Sequence, residues 1–293
     1  MEKYTVFETK KFTEERQFYR HDRTKFRECC FEKGQYQIKE SLFILLDRSI
    51  VRSKYFLWYN NYADAVNSAF YPDAADSMWY CENLTLDGCI VNAPRCFRRC
   101  DEIVLDNTSI INSNESLWNC TNVHINNLNV NGDYFGKDSK FMFVDNITLT
   151  GDSAFDGCEY LDIHNSHIVS NDAFWNCMTV NICDSYISGD RIGWNSSMIS
   201  LENCTVESMR AFSYSKKLYM KNCRLLNAAY AFEMFTGVAQ IKTPITSVLT
   251  PCGGTIGAPS IGELILEDGE KKNVCILCKN IEKRLEHPTW EDL

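Results

Sequence analysis

The sequence has no run of about 18 apolar residues, so no transmembrane helix is expected. It has no excess of positive charge either: 30 Lys and Arg stand against 39 Asp and Glu, a net charge of −9. An electrostatic grip on nucleic acid or on an anionic membrane is therefore not expected. Neither GxGxxG nor GxxxxGK[ST] occurs, which leaves no fingerprint for a nucleotide cofactor. Only Cys275 and Cys278 form a CxxC, with no second Cys or His pair beside them, so no metal site is expected. The first 25 residues, MEKYTVFETKKFTEERQFYRHDRTK, are polar and charged, unlike a secretory leader, and a cytoplasmic location is the expectation.

What is present is a large apolar fraction, 45% of 293 residues, together with 15 cysteines. In a reducing compartment these are thiols. Cys100, Cys120, Cys158 and Cys177 recur at multiples of 19 to 20 residues, as do Cys89, Cys204 and Cys223 in a second column. Such spacing reads as small buried hydrophobes stacked in ladders.

That period organises the chain. Lines of 19 or 20 residues align Leu84, Ile103, Val123, Met142, Leu161, Val180, Ile199 and Leu218, and two residues on Leu86, Leu105, Ile125, Val144, Ile163, Ile182, Leu201 and Met220. A separation of two puts both columns on one face of a short strand. A smaller inward column follows: Cys89, Thr108, Leu128, Ile147, Ser166, Ser185, Cys204, Cys223. Between them runs Gly88, Asn107, Asn127, Asn146, Asn165, Asp184, Asn203, Asn222, residue types that tolerate a left-handed backbone, so each line has a sharp turn there. A later column of Phe97, Leu117, Phe135, Phe155, Phe174, Ile192, Phe212 and Phe232 supplies one large plug per coil. This pattern predicts an all-β fold, a single-stranded parallel β-helix of about 19–20-residue coils. Regular coils are expected over 42–235, with an N-terminal cap and irregular first coil in 1–41 and irregular coils plus a polar cap in 236–293.

The loops add a resemblance. FRRC (97–100), LWNC (117–120), GDYFG (132–136), AFDGC (154–158), DAFWNC (172–177), GWNS (193–196), MKNC (220–223), AFE (231–233) and SIGELI (260–265) are similar, in order and spacing, to an uncharacterised bacterial family called domain of unknown function 3737. The resemblance covers roughly 42–266. It implies the pectin-lyase-like superfamily and a right-handed helix, and it brings no established activity.

On such a helix, function falls on outward columns. After the plug come Trp58, Trp79, Arg98, Trp118, Gly136, Asp156, Trp175, Trp194 and Ser213, and beside them Tyr59, Tyr80, Arg99, Asn119, Lys137, Gly157, Asn176, Asn195 and Tyr214. Trp beside Asn on adjacent coils offers flat faces to sugar rings and amides to their hydroxyls, with Gly136 and Gly157 as a notch. The competing reading is that these tryptophans shield the plug. Two residues before the plug stand Glu115, Asp133, Asp172 and Asp190, with Asp152 one residue out of register, carboxylates suited to acid–base work or a cation, or to capping turns in the Gly-Asp pairs.

The expected function is carbohydrate binding, with hydrolysis or cleavage as an extension. Ligand contacts fall on Trp58, Trp79, Arg98, Trp118, Asn119, Tyr134, Trp175, Asn176, Trp194 and Asn195, and any catalysis on Asp133, Asp152, Asp156 and Asp172. The alternative is a non-catalytic scaffold or protein-interaction β-helix, including pairing of two copies through the aromatic stripe.

Overall fold

The structure, a computed structural model, describes residues 3–266 and 273–286. The chain divides into two compact units, Met1–Gly151 and Asp152–Leu293. In the first, strands Leu42–Asp47, Asn61–Val66, Glu82–Asp87, Asp101–Ile110, Thr121–Asn131 and Lys140–Thr150 stack as successive parallel neighbours. In the second, Glu159–His164, Met178–Cys183, Ser197–Glu202, Leu218–Leu226, Thr236–Ile241, Gly253–Gly257 and Val274–Leu277 do the same. Each unit is a parallel β-solenoid, and a three-residue 3₁₀ turn at Pro72–Ala74 is the only helix among the described residues.

The inward columns pair as their spacing predicts. Ile103 lies opposite Val123, and Leu105 opposite Ile125; Leu161 lies opposite Val180, and Ile163 opposite Ile182. All are essentially inaccessible to solvent. Each such side chain removed from water stabilises the coil by about 1.5–3 kcal/mol. Residues of the expected N-terminal cap already pair in this manner: Thr5–Glu8 lies beside Asp22–Arg27, which lies beside Leu42–Asp47. At the other end Ile245–Leu249, Ser260–Leu266 and Asn280–Glu286 form a second parallel sheet; residues 287–293 of the expected polar cap lie outside the described residues.

Three details depart from the sequence pattern. First, the left-handed turn recurs five times per coil instead of once. One coil has positive φ at Glu115, Leu117, Asn119, Asn122 and Asn127. Apolar residues such as Leu117 and Phe97 accept this conformation because full burial outweighs a local cost of about 1–2 kcal/mol.

Second, the plug column shifts by one residue at two coils. The Gly136 amide donates to Ser116, as the Leu117 amide does to Cys96 one coil earlier, so Gly136 and not Phe135 sits above Leu117. The Gly193 amide donates to Ala173 likewise, displacing Ile192. The exchange conserves volume. Where the plug is Phe (97, 155, 174, 212, 232), the preceding residue is Cys96, Ala154, Ala173, Ala211 or Ala231; where the plug is glycine, it is Phe135 or Ile192. Close packing demands this, because neither void nor overlap is tolerated in a stacked core.

Third, the buried cysteines do more than fill space. Cys81, Cys100, Cys120 and Cys177 direct their thiols at the carbonyls of Leu57, Met78, Phe97 and Phe155, at 2.9–3.0 Å. Ser139, Ser196 and Ser215 do the same with hydroxyls toward Leu117, Phe174 and Gly193. The column is a row of small donors, which is why Cys and Ser substitute for each other in it.

Candidate functional site

The Asn column is a side-chain ladder. Asn107 donates its amide to Asp87 at 3.0 Å, Asn127 to Asn107 at 2.9 Å and Asn146 to Asn127 at 3.4 Å. In the second unit Asn203 donates to Asp184 at 3.0 Å and Asn222 to Asn203. A second ladder runs through candidate ligand residues: Asn176 donates to Asp156 at 3.1 Å, and Asn195 to Asn176 at 2.8 Å. These amides join coil to coil, and φ is positive at every ladder asparagine named.

The five candidate tryptophans are half-buried, and the indole N–H groups of Trp58, Trp79, Trp118 and Trp175 donate to the chain itself. Trp58 bonds the Asp76 carbonyl at 2.7 Å, Trp79 that of Arg95 at 2.6 Å, Trp118 that of Tyr134 at 2.7 Å, and Trp175 that of Arg191 at 2.8 Å. Each bond spans one coil. Their faces are covered as well: Trp58 and Trp79 stack with centroids 5.0 Å apart, and the Arg98 guanidinium lies 5.1 Å from Trp79 and 4.3 Å from Trp118. In the second unit Trp194 lies 6.1 Å from Trp175 and 4.9 Å from Tyr214.

The register shift also moves the expected acids. In the first unit Glu115 stays two residues before the plug, in a column with Asp76 and Arg95, and Asp133 stands one residue earlier with Asn114; in the second Asp172 stays two residues before the plug with Arg191, and Asp152 and Asp190 stand one residue earlier with Asn171. Asp156 lies in the tryptophan column, and Gly136, expected there, has moved into the plug and Lys137 takes its place. Of the four candidate catalytic residues Asp133 lies in the first unit, and Asp152, Asp156 and Asp172 lie in the second, in three different columns.

The carboxylates of Asp152, Asp156 and Asp172 each tie one coil to the next. Asp172 holds Arg191 bidentately at 2.6 and 3.0 Å. Asp152 accepts from the backbone and side-chain amides of Asn171 at 3.3 and 3.1 Å, and the Asp133 amide donates to Asn114 at 2.8 Å. The Asp172 arrangement is a clasp that occurs twice. Asp76 holds Arg95 at 2.5 and 3.1 Å, Arg95 accepts the Trp79 indole, and the same loop closes through Asp172, Arg191 and Trp175. Burial pushes the Asp76 carboxyl up, but Arg95 and then Lys54 at 3.4 Å outweigh it, and the net shift is downward. Arg98 pairs with Glu115 at 2.5 Å. Sequence reading missed the clasp; its signal was Asp and Arg one coil apart, at 76 and 95 and again at 172 and 191.

On the first unit the ridge continues beyond the expected residues. Tyr36 stacks on Tyr55 at 4.8 Å beside Trp58, and Tyr59 stacks on Tyr80 at 4.6 Å. Where it meets arginine, a cleft of about 320 Å³ is lined by Trp79, Tyr80, Arg98, Arg99, Trp118 and Asn119. Among the described residues no group of three or more His, Cys, Asp or Glu side chains could hold a metal ion, and no helix is long and apolar enough to cross a membrane.

These features define a class: a parallel β-solenoid whose coils are tied by side-chain ladders and whose outward face carries a stacked aromatic and arginine ridge. The chain belongs to the family described as protein of unknown function (DUF3737), whose profile matches residues 5–278. No curated protein matches the chain. It is similar to HetL, a pentapeptide repeat protein involved in heterocyst differentiation regulation from the cyanobacterium Nostoc sp. strain PCC 7120, at 9% identity and TM-score 0.23 over 78% of this chain and 86% of that one. It is also similar to QnrB1, a plasmid-mediated fluoroquinolone resistance protein, at 9% identity and TM-score 0.20 over 76% and 89% of the two chains. Superpositions this loose carry no argument about function.

Proposed function

We propose that the chain is a non-catalytic scaffold that docks a partner protein along the aromatic ridge of its first unit. The observation that carries this reading is the closure of the ridge upon itself: indole N–H groups bond the chain's own carbonyls, and the faces of Trp58, Trp79 and Trp118 are covered by column neighbours. A sugar platform needs an open aromatic face, and the polysaccharide chemistry of a pectin-lyase-like relative needs acids that act together. Stacked, hydrogen-bonded aromatics with exposed edges form a rigid surface, which loses little entropy when a protein binds it. Fifteen free thiols, ten of them buried, fit a reducing compartment such as the cytoplasm.

The test is crosslinking from position 80 in the native host, followed by reconstitution with the purified partner. A single partner is expected, bound at least tenfold more weakly after Tyr59→Ala and Tyr80→Ala. An oligosaccharide that raises the melting temperature of the wild type but not of these variants would overturn the reading, as would glycan cleavage lost in Asp172→Asn.

A further inference from the structure

The cleft of about 320 Å³ holds a cation that the fold leaves without a counter-ion. Its floor guanidinium, Arg98, is paired with Glu115 and packed between Trp79 and Trp118. Arg99, next in sequence and in a left-handed turn at φ +52°, lines the same cleft, is exposed and has no carboxylate within ion-pair distance among the described residues. Its guanidinium donates to the Tyr80 hydroxyl at 3.5 Å, with the guanidinium carbon 5.8 Å from that ring. Two acids at neighbouring strand starts are hydrogen-bonded elsewhere: Asp101 accepts the Asn122 amide at 2.9 Å, and Glu82 accepts that of Asn61 at 3.0 Å.

In a chain with a net charge of −9, an uncompensated arginine between an aromatic ring and an amide is a local inversion of sign. Asn119, exposed in the coil above, adds an amide donor to the same cleft. We infer that Arg99, Asn119 and Tyr80 form an anion subsite that takes an Asp or Glu side chain from an extended segment of the docked partner. This rests on the docking reading above and adds the chemistry of what docks. A planar carboxylate matches the two-pronged donor face of a guanidinium. A single arginine on an acidic protein suits a monoanion better than a phosphate dianion, which the surrounding negative field repels more strongly. Tyr59 and Tyr80, stacked 4.6 Å apart with Tyr59 about half exposed, give the rest of the segment an apolar shelf.

The experiment uses the full chain and a fluorescein-labelled, end-blocked hexapeptide of alternating Glu and Tyr, read by fluorescence anisotropy. Its Gln-for-Glu counterpart, inorganic phosphate and glutarate serve as competitors. The acidic peptide is expected to bind, to weaken with added salt, and to lose about tenfold to a hundredfold in affinity in Arg99→Gln, the loss of one charge-assisted hydrogen-bonded pair. Arg99→Lys keeps the charge and should recover part of that loss; circular dichroism checks that both variants fold. Equal binding of the Gln peptide, unchanged affinity in Arg99→Gln, or no binding of the acidic peptide overturns the subsite. Phosphate competing better than glutarate overturns the carboxylate assignment. A natural partner that still binds Arg99→Gln at full strength but fails on Tyr80→Ala would sink the subsite and leave the docking reading standing.

Discussion

A methyl group added at Gly193 tests whether the volume exchange between plug and preceding residue holds the core. Gly193 has φ +70°, and a Cβ there would lie 2.7 Å from Cδ1 of Phe212, 3.0 Å from its Cε1 and 3.3 Å from Cδ1 of Ile199. The left-handed backbone costs an alanine about 1 kcal/mol more than glycine. Overlap with a ring in the next coil adds about 1–3 kcal/mol. Gly193→Ala should therefore lower stability by about 2–4 kcal/mol in urea titrations. Phe212→Leu, which puts into the column a side chain that Leu117 already places there, should cost about 1–2 kcal/mol alone from lost burial. In the double variant the methyl has room, so only its backbone cost remains and the two changes should fall short of additivity by about 1–3 kcal/mol, the relieved overlap. Because stacked coils can open locally, urea curves from tryptophan fluorescence should be paired with hydrogen exchange at residues 192–213. A Gly193→Ala variant within about 0.5 kcal/mol of wild type, or strict additivity with Phe212→Leu, would refute the volume argument.

The other expectations follow from contacts between coils. Gly189→Ala would set a Cβ 2.0 Å from the Ser170 carbonyl, at φ +150°, so it should destabilise more than Gly193→Ala in the same titration. Asn127→Ala loses ladder bonds at 2.9 and 3.4 Å and places alanine at φ +56°, an expected loss of about 1–2 kcal/mol; Asn127→Gly should recover the backbone share, and a glycine as damaging as alanine would count against that. The Asp76 carboxyl lies below its ordinary value of 3.8, so its contribution is complete above that pH and is lost as pH falls through the lowered value; acid titration of Asp76→Asn should lack this component, and an unaltered acid limb would refute it. Burial pushes the thiols of Cys89 up to about 11 and of Cys96 up to about 12, so native protein at pH 8 should give a thiol reagent Cys275 first, the four half-buried cysteines next, and the ten buried ones only on unfolding.

The fold was legible because its determinants are periodic. Ile103 and Leu105 recur one coil later as Val123 and Ile125, and an asparagine in a left-handed turn announces itself in any alignment of the lines. The plug column misled because Phe135 and Ile192 are large and apolar, whereas the glycines that occupy the plug at those coils carry no hydrophobic signal. A one-residue slip in alternating structure moves each side chain to another column, and so it split the expected acidic row. The clasps were harder still. An Asp and an Arg 19 residues apart become neighbours only once the coil length is known, and the Trp79 indole bond to a carbonyl leaves no trace in residue type.

The same periodicity bears on what the surface can do. In a solenoid, a side chain's nearest outward neighbours are its counterparts one coil before and one coil after, so polar groups find partners along columns. Asn107, Asn127 and Asn146 show this for amides, and Asp76 with Arg95 for charges. A group that lacks a column partner is therefore more informative here than in an irregular fold. Arg98 has Glu115, yet Arg99 follows Tyr59 and Tyr80 and precedes Asn119, none of them an acid. The column stacks tyrosines on one side of Arg99 and places an amide on the other; its acid, Asp138, stands beyond Asn119 and outside ion-pair distance of Arg99, so a partner's carboxylate would complete the site.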